Sequence, residues 1–205
     1  MAHKFLDLTF TPKVRAAQER YYGKAQNLPP AGHDDPLGPE ETAFIESRDS
    51  FYMSSVNETG WPYMQHRGGP KGFLKVIDDR TLAFADYRGN RQYISTGNVA
   101  ASGRCSLFLM DYPNRARLKI YAQAEIVDLE SEPDLADAVA MPGYRAKVER
   151  LYRLRLAAFD WNCPQHITPR FTEAEIAQGL QPLRDRLAQL EADNEALRAR
   201  LAAAR

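Results

Sequence analysis

Short runs of aromatic and β-branched residues occupy the middle of the chain and predict β-strands. Turn-forming stretches such as NETG, RGGPKG and DDRT separate these runs. Closely spaced strands with turns between them indicate an antiparallel meander or a small barrel. The predicted strands are residues 51–56, 61–66, 72–77, 81–85, 105–110, 116–129 and 150–160.

Helical patterns precede and interrupt these strands. Pro12 and Pro39 lie at the starts of two of them, where proline is favoured, and acidic residues follow Pro39 in the first turn. Residues 27–39 carry four prolines and two glycines, so they are expected to form a loop or a strap. The predicted helices of this part are residues 12–25, 39–48, 91–102 and 131–141.

The end of the chain has a heptad pattern of leucines. Thr172 and Glu175 fit a helix capping box, and Gly179 is expected to end the helix that they begin. After Pro182, the pattern recurs at intervals of four and three residues, which is the seam of a coiled coil. The a positions are Leu187, Asn194 and Leu201, and the d positions are Leu183, Leu190 and Leu197.

A parallel homodimer is the favoured interpretation of this seam. A single asparagine at an a position, such as Asn194, favours an in-register parallel pair. Arg186 would face the partner's Glu191 and Asp193 would face the partner's Arg198, and both pairs are attractive. The alternative is a single amphipathic helix lying on its own domain. A seam of about three heptads is short for independent stability, so it is expected to extend a dimer made elsewhere.

Composition narrows the class of protein. The 205 residues carry 27 basic and 27 acidic side chains, which argues against nucleic acid or an anionic membrane as the main partner. No apolar run approaches the length of a membrane span, the N-terminus lacks the apolar core of a signal peptide, and two cysteines make no disulfide framework. We therefore expect a cytoplasmic protein with three parts, residues 1–38, 39–171 and 172–205.

Two arginines in turn-like surroundings are candidate phosphate ligands. Arg67 is followed by two glycines, an arrangement that can combine a guanidinium fork with close backbone approach; a hairpin turn with a solvated arginine is the alternative. Asn90 is a candidate N-cap for the helix over 91–102, with Arg91 in its first turn. A cation there is unfavourable for the helix itself and indicates a bound anion, unless this is an ordinary surface loop.

Other chemistries lack their signatures. Cys163 and His166 offer only two ligands where a structural zinc site needs about four, so no metal site is predicted. Neither a dinucleotide fingerprint nor a P-loop is present, and no G-x-S-x-G or carboxylate pair indicates a hydrolase. No side chain stands out as an acid or base, so the catalytic residues are unknown.

The block PYMQHRGGPKGFLKVIDDRTLAFADYRGNRQYISTGNV resembles the pyridoxamine 5′-phosphate oxidase-like, FMN-binding split barrels. WNCPQHITPRF resembles the C-terminal motif of one flavin-binding subgroup, so the resemblance covers roughly residues 40–171. It implies an α+β fold, an antiparallel split β-barrel with peripheral helices, to which the chain adds its C-terminal coiled-coil helix. It also implies a homodimer with FMN at the subunit interface.

The resemblance also implies roles for particular residues. The phosphate ligands would be Arg67, Asn90 and Arg91. The edge of the flavin ring would be lined by His66, Gly68, Lys75 and Val76, with Asp86 and Gly89 on the same wall. The second subunit would close the site with Trp161, Asn162 and Gln165.

Three functions are compatible with this family resemblance. The first is an FMN-dependent oxidoreductase acting on a small substrate, with NADH or NADPH as a candidate electron donor. The second is a non-catalytic flavin carrier or sensor that assembles through its coiled coil. The third is the same barrel holding haem or a deazaflavin. A vitamin B6 substrate is not expected, because the Arg-Leu-rich, Pro-containing C-terminal motif of the true oxidases is missing.

Overall fold

The computed structural model describes residues 3–27, 35–161 and 163–204. Its strands are β1 (Ser50–Val56), β2 (Pro62–Gly68), β3 (Lys75–Asp78), β4 (Thr81–Tyr87), β5 (Arg104–Asp111), β6 (Ala116–Val127) and β7 (Val148–Trp161). Its helices are α1 (His3–Thr9), α2 (Pro12–Tyr22), α3 (Pro39–Glu46), α4 (Ile94–Ser102), α5 (Pro133–Ala138) and α6 (Glu173–Ala203). All seven predicted strands are present, and α1 is a helix that the sequence pattern did not predict.

The strands form one antiparallel sheet in the order β2-β1-β5-β6-β7-β4-β3. Arg67, on the edge strand β2, bonds to Asp86 on β4, which is next to the other edge. The sheet must therefore curl until its two ends approach each other, although it does not close. The predicted fold class, an antiparallel split barrel with peripheral helices and a C-terminal helix, is confirmed.

Aromatic side chains fill the inside of the curled sheet. Phe51 lies parallel to Phe73, with ring centroids 5.5 Å apart, and meets the edge of Phe84 at 5.3 Å. Phe84 in turn stacks on Tyr152 at 4.8 Å, and all four side chains are buried. Strands β1 and β5 bury every second residue, as expected where one face of a sheet covers a core.

Strand β4 is buried on both faces. Leu82 and Phe84 face the core inside the curled sheet. Ala83 and Ala85 alternate with them and pack in a second apolar cluster, which includes Leu135 of α5. Helix α5 thus covers the outer face of the sheet at β4 and β7. This explains the nearly continuous apolar run LAFA in the sequence of β4, which would otherwise alternate with polar residues.

The predicted strap over residues 27–39 falls largely on residues 28–34, which lie outside the described residues. On its C-terminal side, Leu37 is buried and its N–H donates to the carbonyl oxygen of Asp79 at 2.8 Å. Helix α3 then begins at Pro39, where the sequence predicted it, with Glu41 accepting a hydrogen bond from the N–H of Gly38.

Replacing Gly69 by alanine should destabilise the fold by about 1–3 kcal/mol, because an added methyl group overpacks the core. A Cβ at Gly69 would lie 2.7 Å from Cγ of Phe73, which is fixed against Phe51. Urea unfolding would measure the loss, with Gly89→Ala as control, because a Cβ at Gly89 has no heavy atom within 4 Å. Equal stability of the two variants would contradict the proposed packing.

The C-terminal helix is longer than the sequence pattern predicted. The capping box at Thr172 and Glu175 is confirmed, but Gly179 does not end the helix, which continues through Pro182 to Ala203. A glycine ends a helix where the chain turns into the left-handed region, and Gly179 has no positive φ. The strong helix formers that follow Pro182 offset the local cost of glycine and proline.

The chain divides into two compact units, residues 1–111 with 115–166 and residues 112–114 with 167–205. The first contains the sheet and helices α1 to α5, and the second contains α6. Within the second unit, the guanidinium group of Arg170 lies 4.8 Å from the ring centre of Tyr112. None of the helices in the described part of the chain combines the length and the apolar character needed to cross a bilayer.

Candidate functional site

A polar cavity of about 190 Å³ lies where β2, β4, β7 and the start of α4 meet. We call it the arginine pocket. Arg67 of β2, Asp86 of β4 and Glu149 of β7 line it, together with the loop that leads into α4. Its walls are predominantly polar, so it suits a small, charged group rather than an apolar one.

Asp86 is the centre of the arginine pocket. Its carboxylate accepts a hydrogen bond from Nη1 of Arg67, and Nη1 of Arg150 lies 3.6 Å from its other oxygen. Arg150 is the residue opposite Asp86 in the β4–β7 register, so the sheet itself brings the two together. All three side chains are at most 14% exposed. A buried carboxylate needs such partners, since an unpaired one is strongly destabilising.

A hydroxyl network supports the two arginines. Nη2 of Arg67 donates to the Tyr152 hydroxyl at 3.3 Å, and that hydroxyl shares a hydrogen bond of 3.0 Å with Thr96. Nη1 of Arg150 donates to Oγ1 of Thr96 at 3.3 Å. Burial raises the pKa of Tyr152, so its phenol is protonated at neutral pH and serves as a fixed dipole.

Arg67 has a buried donor, its Nε, that makes no hydrogen bond with the part of the chain that the structure describes. Its guanidinium group lies over the rings of Tyr152 and Phe84, 5.0 and 5.7 Å from their centres, which fixes its plane. Its buried Nε has no hydrogen-bond partner among the described residues. Buried donors are rarely left unsatisfied, so this atom is a candidate contact for a ligand in the arginine pocket.

A second carboxylate, that of Glu149, binds the side chains at the rim of the arginine pocket. It accepts hydrogen bonds of 2.9 Å from both Arg88 and Arg150, and one of 3.3 Å from the Tyr93 hydroxyl. The hydrogen bond from Arg88 is the main cause that lowers the pKa of Glu149. Four guanidinium groups, of Arg67, Arg88, Arg91 and Arg150, thus stand against two carboxylates. The charges that line the cavity, on Arg67, Arg91, Asp86 and Glu149, sum to zero, and Arg88 and Arg150 beyond the lining bring the net charge of the six side chains to +2.

The loop before α4 differs from the prediction. Asn90 was expected as the N-cap with Arg91 in the first turn, but α4 begins only at Ile94 and its N-cap is Tyr93. Oδ1 of Asn90 accepts a hydrogen bond from the N–H of Gln92, and Arg91 has a left-handed φ of 60°. The side chain of Asn90 closes a local turn instead of capping the helix, which excludes Arg91 from the helix.

The start of α4 nevertheless opens onto the arginine pocket. Ile94, Ser95 and Thr96 line the cavity, and no side chain caps the helix at Tyr93. The first N–H groups of a helix have no partner within it, and together with the helix dipole they attract anions. The helix N-terminus predicted from the sequence is therefore present at the site, three residues later than expected.

Five of the twelve predicted site residues come together in the arginine pocket: Arg67, Asp86, Gly89, Asn90 and Arg91. Six others do not line it: His66, Gly68, Lys75, Val76, Trp161 and Gln165. Asn162 lies outside the described residues. The binding roles of all twelve stay predictions.

Strand alternation separates His66 from Arg67. The ring of His66 faces away from the cavity and meets that of Tyr52 at 5.6 Å. Trp161 lies at the end of β7, where its ring contacts Phe44 of α3 at 4.7 Å and its Nε1 donates to Glu41 at 2.7 Å. Neither side chain lines the arginine pocket.

The polar residues of the site that were not predicted from the sequence include Gln65, Ser95, Thr96, Glu149, Arg150 and Tyr152. One signal was available for Gln65: it lies in the strand predicted over 61–66, two residues before Arg67 at that strand's end, and in β2 the two residues share a face. Its Oε1 accepts a hydrogen bond from the buried Ser95 at 2.9 Å. The residues of β7 carried no such signal, since their position depends on strand order.

Comparison with known proteins identifies the family. A family model described as pyridoxamine 5′-phosphate oxidase matches residues 37–157, more than half of the chain. The chain belongs to this family. The resemblance read from the sequence is thereby confirmed. No curated protein matches the sequence.

Several solved structures are similar to this member of the pyridoxamine 5′-phosphate oxidase family. HupZ from Group A Streptococcus is 13% identical with a TM-score of 0.48, covering 66% of this chain and 100% of HupZ. An FMN-binding protein from Syntrophomonas wolfei is 14% identical with a TM-score of 0.46, covering 60% and 83%. HutZ, the heme storage protein from Vibrio cholerae, is 14% identical with a TM-score of 0.37, covering 59% and 90%.

Proposed function

We propose that this protein binds FMN and acts as a flavin-dependent oxidoreductase on a small substrate, with the phosphate of FMN in the arginine pocket. The observation that carries the proposal is a small polar cavity at an uncapped helix N-terminus, in and behind whose walls four guanidinium groups stand against two carboxylates, a net charge of +2. A phosphate monoester dianion matches that charge. Membership of the pyridoxamine 5′-phosphate oxidase family supports a flavin as the molecule that carries the phosphate.

The donors available in the arginine pocket suit a phosphate. Arg91 is exposed and makes no ion pair or hydrogen bond with the part of the chain that the structure describes. The unused Nε of Arg67 and the first N–H groups of α4 add donors on the other walls. Charge-assisted bonds from guanidinium groups and backbone N–H groups are the usual means of holding phosphate.

The size of the cavity supports a dimeric site. Pockets for whole cofactors usually measure about 300–1,000 Å³, and the arginine pocket measures about 190 Å³. It has room for the phosphate and its attachment, so the flavin ring would lie beyond its mouth. We propose that a second subunit covers the ring, which is the place predicted for the partner's Trp161 and the partner's Gln165.

The chain's own residues would bind and orient the cofactor. A bound flavin supplies hydride and electron transfer, for which NADH or NADPH is the proposed donor. Arg67 and Arg150 hold Asp86, and Arg88 and Arg150 hold Glu149. Neither carboxylate is therefore available as a general base, because each is committed to two guanidinium groups. Proton transfer would depend on the substrate, on water or on the flavin.

The charge and polarity of the arginine pocket also favour a second candidate function, a flavin carrier or sensor without turnover. The two functions separate by experiment. The absorption spectrum of the purified protein identifies the cofactor class, and anaerobic mixing with NADH and with NADPH measures flavin reduction. Bound FMN that is reduced within seconds supports the oxidoreductase. Bound FMN that neither donor reduces supports the carrier, and a haem spectrum contradicts both.

Replacing Arg91 by alanine should weaken FMN binding by about 10- to 100-fold, because one charge-assisted phosphate bond is lost. Stability without FMN should change by less than about 0.5 kcal/mol, since Arg91 is exposed. Fluorescence titration of the apoprotein with FMN measures the affinity. Lys13→Ala, which removes an exposed cation on α2, is the control and should bind normally. Unchanged affinity of the Arg91 variant would place the phosphate elsewhere.

A further inference from the structure

Helix α6 presents an unpartnered apolar stripe along its whole length. It spans 31 residues, and none of them is buried. Its apolar side chains, Ile176, Leu180 and the five leucines from Leu183 to Leu201, are between 41% and 69% exposed. An apolar stripe of this length on one helix marks an interaction surface.

The continuous helix makes the heptad seam longer than the sequence pattern alone indicated. Because α6 does not end at Gly179, Leu180 takes the a position one heptad before Leu187, and Ile176 takes the d position before Leu183. The seam then runs from Ile176 to Leu201, roughly 37 Å at the rise of an α-helix. Four a positions and four d positions follow one another without a break.

The residues that would interrupt a seam lie off it. Pro182 occupies a c position, on the outer side of the helix, where its ring does not meet a partner helix. Gln181 donates to Asp185 at 2.8 Å and Gln189 donates to Asp193 at 2.9 Å, so polar side chains away from the stripe bond within the helix. Only one face of α6 is apolar.

We propose that α6 pairs with α6 of a second copy of this chain as a parallel, in-register coiled coil. In that register, Asn194 faces the partner's Asn194, so the one polar residue of the seam finds an amide partner. Arg186 lies opposite the partner's Glu191, and Asp193 lies opposite the partner's Arg198. Two-fold symmetry repeats both pairs, giving four attractive contacts beside the seam.

Asn194 also distinguishes this arrangement from an antiparallel one. A fully overlapping antiparallel pair places Asn194 against the partner's Leu183, which leaves two amides buried without hydrogen-bond partners. Charge does not distinguish the parallel from the antiparallel orientation, because the antiparallel pair also places Arg186 against the partner's Asp193. The buried amide of Asn194 therefore favours the parallel orientation.

Disulfide formation at the end of the seam tests the proposal. Leu201→Cys is made in the full-length Cys163→Ser protein, since Cys163 is exposed and Cys105 is buried with a pKa raised to about 12. In the parallel pair the two new thiols face each other, and mild oxidation should crosslink most of the protein. In the antiparallel pair they are roughly 37 Å apart and cannot react.

Ala199→Cys in the same background is the matched control. It lies two residues away at an f position on the outer face, so it should crosslink at least tenfold less than Leu201→Cys. Equal crosslinking of the two variants, or none of either, would overturn the proposal. This readout is independent of any contact between the barrels, because it reports only on neighbours at the end of α6.

A second pair of variants measures whether the seam stabilises the helix. Leu190→Lys with Leu197→Lys places charge in the seam and should reduce the helical circular dichroism of the full-length protein. Ala192→Lys with Ala199→Lys adds the same charge at f positions and should leave it unchanged. If the seam variant keeps the helicity of the control, α6 is not held by a partner helix and the proposal fails.

Discussion

Replacing Arg67 by alanine should destabilise the protein by about 3 kcal/mol and also weaken FMN binding. The substitution leaves the carboxylate of Asp86, 9% exposed, with only Arg150 at 3.6 Å. Removing one partner of a buried ion pair costs about 3–5 kcal/mol, and the remaining arginine places this case at the lower end. Urea unfolding of the apoprotein measures the loss.

The double substitution Arg67→Ala with Asp86→Ala isolates the cause. Without the carboxylate there is no unpaired charge, so the double variant should regain part of the stability that Arg67→Ala loses. FMN affinity should not return, because the phosphate donor is still missing. Greater stability of Arg67→Ala than of the double variant would contradict the role given to Asp86. The Arg91 variant provides the contrast, with weaker binding but normal stability.

Replacing Phe84 by alanine should cost about 3–5 kcal/mol of folding free energy, the largest effect that we expect from a single side chain. Phe84 is 1% exposed, stacks on Tyr152 at 4.8 Å and meets Phe51 at 5.3 Å. Its truncation opens a cavity between three aromatic rings, which the surrounding strands can fill only in part. Thermal or urea unfolding measures the change.

The Phe84 variant should also loosen the arginine pocket, because the guanidinium group of Arg67 lies over this ring. FMN affinity should therefore fall along with stability. Phe171→Ala is the matched control: its ring is 58% exposed, and we expect a change below about 0.5 kcal/mol. A loss of stability below about 1 kcal/mol for Phe84→Ala would show that the aromatic core is loosely packed around Phe84.

The strands were predictable because their signals are local. Each run from Phe51 to Ala85 combines β-branched or aromatic residues with turn residues at both ends, and every one is a strand. Boundaries were less predictable. The start of α4 moved from Arg91 to Ile94 because the side chain of Asn90 closes its own turn, a choice that the residue type alone does not reveal.

The candidate site was predictable only in part, for a different reason. Arg67, Asp86 and Arg91 carry recognisable motifs, whereas Arg150 and Tyr152 reach the site because β7 pairs with β4. Strand order is a property of the whole sheet, and no spacing in the sequence encodes it. At Gly179 a local signal was misleading. The glycine was expected to end the helix, but the strong helix formers that follow it continue α6 to Ala203.

The distance along the chain between the contacting residues has a kinetic consequence. Arg67 meets Tyr152 across 85 positions, and Thr96 meets Arg150 across 54. Such long loops close slowly, so the pocket can assemble only after the last strand has docked. A ligand held there would recognise only chains that have completed the sheet and would draw the refolding population toward them. The rate at which refolding chains acquire ligand would thus report the docking of β7 onto the sheet.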